Sequence, residues 1–154
     1  MLKPVALAGV VGAAALLGGC SLGSKAAERT AHAVSVFHLE PGQCLNPPTS
    51  VQAQVSSLDV ISCRAPHTQQ VFALVRDSSG GANYPGAQAL QAFANAKCLQ
   101  HFAAFVGIPY QQSSLFYTYL LPSVRSWAAG DRTVTCVVTT TGAKLTSSSQ
   151  GSRR

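Results

Sequence analysis

The sequence predicts an α+β domain: an antiparallel sheet of about five strands packed on one main helix near residues 86–106, braced by two disulfides. Three observations carry that expectation. One long segment repeats apolar residues at three- and four-residue spacing. β-branched and aromatic runs with hairpin-length connections lie on either side of it. Four cysteines remain for the domain once the N-terminus is accounted for.

The N-terminal 33 residues stand apart. Lys3 gives a short positive start, and Val5–Leu17 is an apolar run of the length found in secretory signals. Leu17-Gly18-Gly19-Cys20 follows and resembles the lipobox of bacterial lipoproteins. The resemblance implies that residues 1–19 are removed as a signal and that the Cys20 thiol carries a diacylglyceryl thioether, often with an acylated amine. Gly18 and Gly19 leave the backbone open to a peptidase, and only a thiol can form the thioether. Two or three acyl chains, at about 0.8 kcal/mol per buried methylene, hold far better than one. The rival is an uncleaved membrane anchor over Pro4–Ser24, an uncharged stretch that could just span a bilayer. Its many glycines, and Lys25 and Arg29 on the outer side, weigh against it. Either way the rest of the chain lies outside the cytoplasm. The preferred location is the outer face of the plasma membrane, lipid-anchored. Residues 20–33 are then the lipidated cysteine and a small, polar tether, 34–146 the domain, and 147–154 a flexible tail.

Within the domain, Val34–Leu39 reads as a strand stopped by Glu40-Pro41-Gly42. Leu58–Cys63 alternates and ends at Ala65-Pro66-His67. Gln70–Arg76 is apolar on both faces, as a central strand is, and Asp77–Pro85 is a loop. Gly86–Val106 is the helix: Leu90, Phe93, Ala94, Cys98, Phe102 and Phe105 form one stripe, with Pro85 near the first turn. Gly107 suits a left-handed cap, and Pro109 prevents continuation. Ser114–Leu121 and the β-branched Arg132–Thr141 are further strands, separated by a loop at Pro122–Asp131 that holds Trp127.

Cys44, Cys63, Cys98 and Cys136 allow three pairings in an exported domain. Cys98 lies on the helix stripe, and Cys136 shares a strand face with Val134 and Val138, so both thiols point into one core. That favours Cys98–Cys136, with Cys44–Cys63 closing the N-terminal strands. A zinc site from Cys63, His67, Cys98 and His101 is the alternative, and an oxidising compartment disfavours it. No metal or cofactor is expected.

Without Lys3, ten cations face five carboxylates, a net charge of +5. They are scattered and not interleaved with aromatics, which excludes the usual nucleic-acid footprint. A mildly basic protein beside anionic lipid or wall polymer fits better. There is no G-x-S-x-G within residues 34–146. Glu40, Asp59, Asp77 and Asp131 all lie by turns or strand ends, so no carboxylate pair points to a glycosidase. The chain is expected not to be an enzyme. His67, Tyr84, Trp127, Asp131 and Arg132 are the candidate partner-binding residues, because loops on a rigid scaffold carry function. Each has a plainer role: His67 bonding its own turn, Asp131 capping a turn, Trp127 plugging the core.

Several short signatures occur in order: Gly42-Gln43-Cys44, Cys63-Arg64-Ala65-Pro66-His67 with Gln70-Val71-Phe72, Tyr84-Pro85-Gly86, and Cys98-x3-Phe102-x2-Phe105-Val106-Gly107. Pro122-x4-Trp127-x2-Gly130-Asp131-Arg132-x3-Cys136 and Leu145-Thr146 through Gly151 complete the set. In this order, over Val36–Gly151, they resemble the septum-formation domain family of actinobacteria. The resemblance implies an extracytoplasmic, usually membrane-tethered domain linked to the division septum, and it supplies no catalytic residues. The chain departs from the family pattern at Gln43 and Thr68, where acidic residues are common. It departs again at Ser147 and Ser149, where Gly and an apolar residue are usual. The function expected is a non-catalytic binding or scaffold module of the envelope. Its partners would be membrane lipid through acylated Cys20 and a division protein or wall polymer. A small-ligand or lipid carrier, with a pocket between helix and sheet, is the runner-up, and an envelope hydrolase or metal enzyme built around His67 and an acid comes third.

Overall fold

Alternating apolar residues organise the chain into one sheet. The computed structural model describes residues 31–48, 55–78 and 81–154. Its strands are β1 His32–Ser35, β2 Cys44–Asn46, β3 Ser57–Ile61, β4 Gln69–Arg76, β5 Phe116–Leu120 and β6 Thr133–Thr139. The main helix is α1, Ala87–Val106, and a short one is α2, Val124–Ala128. The sheet order is β1-β3-β2-β4-β6-β5, and each neighbouring pair is antiparallel. The fold is α+β as expected, with six strands in place of about five.

The local differences have physical causes. The additional strand is β2, too short to show alternation, and held between β3 and β4 by the pairs Leu45–Val60 and Leu45–Gln69. The strand expected at 34–39 starts earlier and turns into a 3-10 helix at Val36–His38, where the Ser35 hydroxyl accepts from the Phe37 N–H. His32 and Ala33, expected in the tether, pair with Val60 and Asp59. The loop expected at 122–131 contains α2. Ser123 and Ser126 cap it reciprocally, each hydroxyl accepting from the other's backbone N–H at 3.1 and 2.9 Å. This S-x-x-S pair is a weaker sibling of the S-x-x-E capping box.

The helix α1 lies on one face of β4, β6 and β5. Its buried residues Leu90, Ala94, Cys98, Phe102 and Val106 recur every fourth position, flanked by half-buried Phe93 and Phe105. A bulge between Val71 and Ala73 puts both Phe72 and Ala73 in the helix-side core. Phe72 then meets Phe102 edge-on, with ring centres 6.0 Å apart. The Cys98–Cys136 disulfide fastens helix to sheet, and Cys44–Cys63 closes β2 onto the chain leaving β3. Both pairings are those chosen from periodicity. For sequence separations of 38 and 19, chain entropy gives contributions of about 4 and about 3 kcal/mol. The opposite face carries a second core of Leu39, Leu45, Leu58, Val60, Val71 and Val137.

Residues 147–154, expected as a flexible tail, run back against α1. The helix leaves its last carbonyls without internal partners. Gly107, at φ +91°, donates to the Ala103 carbonyl. Gly151 N–H then serves Phe105 at 2.8 Å, and Arg153 N–H serves Val106 at 2.9 Å. Farther back, buried Gln70 accepts from Ser149 N–H at 2.7 Å and donates to the Ser148 hydroxyl at 2.9 Å and the Gly42 carbonyl at 3.0 Å. One buried glutamine thus joins β4, the Cys44 loop and the C-terminal segment.

Two outcomes follow from this docking. Deleting residues 147–154 removes two capping bonds and strands Gln70, lowering stability by roughly 3–5 kcal/mol in urea denaturation. Ser149 is 2 % exposed, and its hydroxyl has no hydrogen-bond partner. Ser149→Ala therefore raises the urea midpoint, by about 1 kcal/mol in stability.

Candidate functional site

The second core leaves part of its face uncovered. Beyond Leu39, the 3-10 turn, β4, β5 and the corner after α2 enclose an open groove of about 310 Å³. Phe37, Leu74 and Leu120 supply apolar walls, Thr135 lies among them, and Arg76 and Asp131 stand at the rim. Leu74 and Arg76 face the groove because they alternate along β4 with Val75, which is in the helix-side core. Phe37 is 60 % exposed and Leu74 40 %. Arg76 makes no side-chain hydrogen bond or ion pair among the described residues. Asp131 is already engaged: its Oδ1 accepts from the Thr133 N–H at 2.9 Å, the turn-capping role expected for it.

The candidate binding residues do not form one surface. His67 precedes β4, whereas the Asp77 N–H bonds the Arg132 carbonyl just past the other end of that strand. Eight strand residues separate them, about 25 Å. His67 is also fully buried and bridges Leu145 in both directions through the backbone, at 2.9 and 2.8 Å. Its Nδ1 lies 2.8 Å from the Ala65 carbonyl, an acceptor only, so Nδ1 carries the proton. Nε2 is buried without a partner. His67 locks its turn and presents nothing to a partner, which corrects its assignment to a binding surface.

Tyr84, Trp127 and Arg132 do come together, as a clamp. Trp127 is 1 % exposed and meets the half-buried Tyr84 edge-on at 5.9 Å between ring centres. The Arg132 guanidinium carbon lies 3.9 Å above the indole. One of its nitrogens donates to the carbonyls of Trp127 and Asp131 at 2.6 and 2.8 Å, and the other reaches Gly81 at 3.5 Å. Stacking plus these bonds ties the loop before α1 to the corner that borders the groove. Trp127 is the core plug, so its place among partner-contacting residues is corrected as well.

Zinc is overturned on chemistry: Cys63 and Cys98 are consumed in two different disulfides, and His101 is exposed on α1. The space between helix and sheet, where a carrier would hold its ligand, is filled by Phe72, Phe102 and the Cys98–Cys136 bridge. Cys20, the signal over 1–19 and the tether up to Thr30 lie outside the described residues. Among the described residues, no helix is long and apolar enough to cross a membrane.

Sequence patterns did not single out Phe37, Leu74, Arg76 or Leu120. The one available signal was the alternation that sets Leu74 and Arg76 on one face. It cannot tell whether another element covers that face.

An α+β sheet stitched by a disulfide in each half is a module suited to an oxidising, extracytoplasmic setting. Its exposed feature is a groove. The chain belongs to the septum-formation family, whose model matches residues 28–153, in agreement with the ordered signatures in the sequence. No curated protein and no solved structure matches the chain.

Arg132→Ala, which removes the stacking and the carbonyl bonds together, lowers stability by about 2–3 kcal/mol in urea denaturation. Arg132→Lys restores less than half, because an ammonium lacks the planar fork. Unchanged stability in Arg132→Ala contradicts the clamp.

Proposed function

We propose that this chain is a lipid-anchored, extracytoplasmic, non-catalytic binding module of the cell envelope that takes part in septum formation. The groove carries the binding half of this reading. Phe37, Leu74 and Leu120 give it apolar walls, its cation Arg76 has no partner among the described residues, and its carboxylate Asp131 already holds a turn. Such a surface favours association through buried apolar area and a rim charge. General acid–base work would instead ask for a titratable group free to meet a substrate. The lipobox at Leu17–Cys20 supports anchoring, since acylation at Cys20 would hold the domain at the outer face of the membrane. Family membership supports the septum and envelope as the place of action.

Mass spectrometry of the mature N-terminal peptide is expected to show Cys20 as the first residue, carrying diacylglycerol. Cys20→Ser is expected to move the chain out of the membrane fraction. In a host deleted for the protein, Asp131→Asn restores septation and Phe37→Asp with Leu74→Asp does not. The reverse pattern argues for catalysis at the rim.

A further inference from the structure

Part of the exposed apolar surface lines the groove. Among the described residues, Phe37, Leu74, Leu99, Phe116 and Val124 are the exposed large hydrophobics. Phe37 and Leu74 line the groove directly. Phe116 shares the sheet face of Leu120 but lies opposite Thr139, toward the other end of the sheet from Arg76. Val124 opens α2 and is 64 % exposed. Leu99 alone belongs to α1, on the other side of the sheet.

The chain's attachment is near the groove in sequence: Phe37 lies six residues after Ala31. Residues 21–31, between Cys20 and β1, can span at most about 40 Å when fully extended. A domain held that close samples the bilayer surface at high effective concentration, so contacts too weak to act alone become populated. Exposed aromatic and aliphatic side chains beside an arginine with no partner among the described residues suit an interface of acyl chains and anionic headgroups.

We infer that the groove face, with Phe37 and Leu74 beside Arg76, docks on the anionic lipid surface that anchors the chain. This placement rests on the anchoring at Cys20 proposed above, and it names the lipid bilayer as the groove's partner. It turns the outer side of α1, with Leu99 and His101, away from the membrane. The lipid anchor holds the chain at the bilayer, and the docked face sets the domain's orientation.

The test is photocrosslinking in intact cells with the full chain. A benzophenone amino acid replaces Phe37 in one variant and Leu99 in another, and intact disulfides confirm that each is folded. Leu74 serves as the groove position if the first variant does not fold. Lipid adducts at the groove position and not at position 99 are the expected result, and Arg76→Glu lowers the groove adducts about fivefold. Equal lipid adducts at both positions, protein or wall-polymer adducts at the groove, or no adduct there overturn the docking. The mass of the N-terminal peptide is read from the same samples. Lipidated Cys20 without groove adducts sinks the docking and leaves the anchor. Groove adducts on a chain with unmodified Cys20 sink the anchor and leave the docking.

Discussion

One helix has to serve a six-stranded sheet. The α1 cylinder is about 10 Å across, and five strand spacings of about 4.8 Å make the sheet about 24 Å wide. The helix can cover β4, β6 and β5 on one side and no more. Everything else must be buried by other means. The Leu39 segment covers part of the opposite face, the Cys44–Cys63 bridge stiffens the strands the helix does not reach, and the C-terminal segment closes the helix end. What they leave open is the groove, which the Leu39 segment borders.

Polar groups in this scaffold mostly hold the chain to itself. Gln70 ties three segments, Asp131 fastens a turn, and Arg132 spends its donors on carbonyls while stacking on Trp127. Arg76 differs, since it projects beside Leu74 with no such engagement. The difference between Gln70 and Arg76 follows from position on β4. Gln70 sits where the C-terminal segment returns, and Arg76 sits at the open groove.

The parts of the fold written in local periodicity were legible. The stripe on α1 and the alternation through Cys136 identified both disulfides, because both thiols had to face the same core. Left-handed Gly107 marked the helix end. Elements too short for a period were not legible: β2 has three residues and α2 five. The docking of residues 147–154 was hidden for another reason. Serine and glycine there read as loose chain, and their backbone N–H groups become useful only beside the unfilled carbonyls of a helix end. Of the candidate site residues, Asp131 lines the groove, and Arg132 holds the adjoining corner. His67 and Trp127 were assigned to a surface from turn and aromatic chemistry that in fact serves burial. Whether a face is covered is a tertiary fact, so Leu74 and Phe37 could not be singled out.

The cap on α1 also orders events in time. Carbonyls at Phe105 and Val106 wait for amides at Gly151 and Arg153, which a ribosome adds some 45 residues later. Synthesis runs at about 5–20 residues per second, so the emerging chain spends seconds with its central helix unfinished and its thiols unjoined. The helix cap and the two disulfides are complete only once the C-terminal stretch has been made and an oxidant has acted.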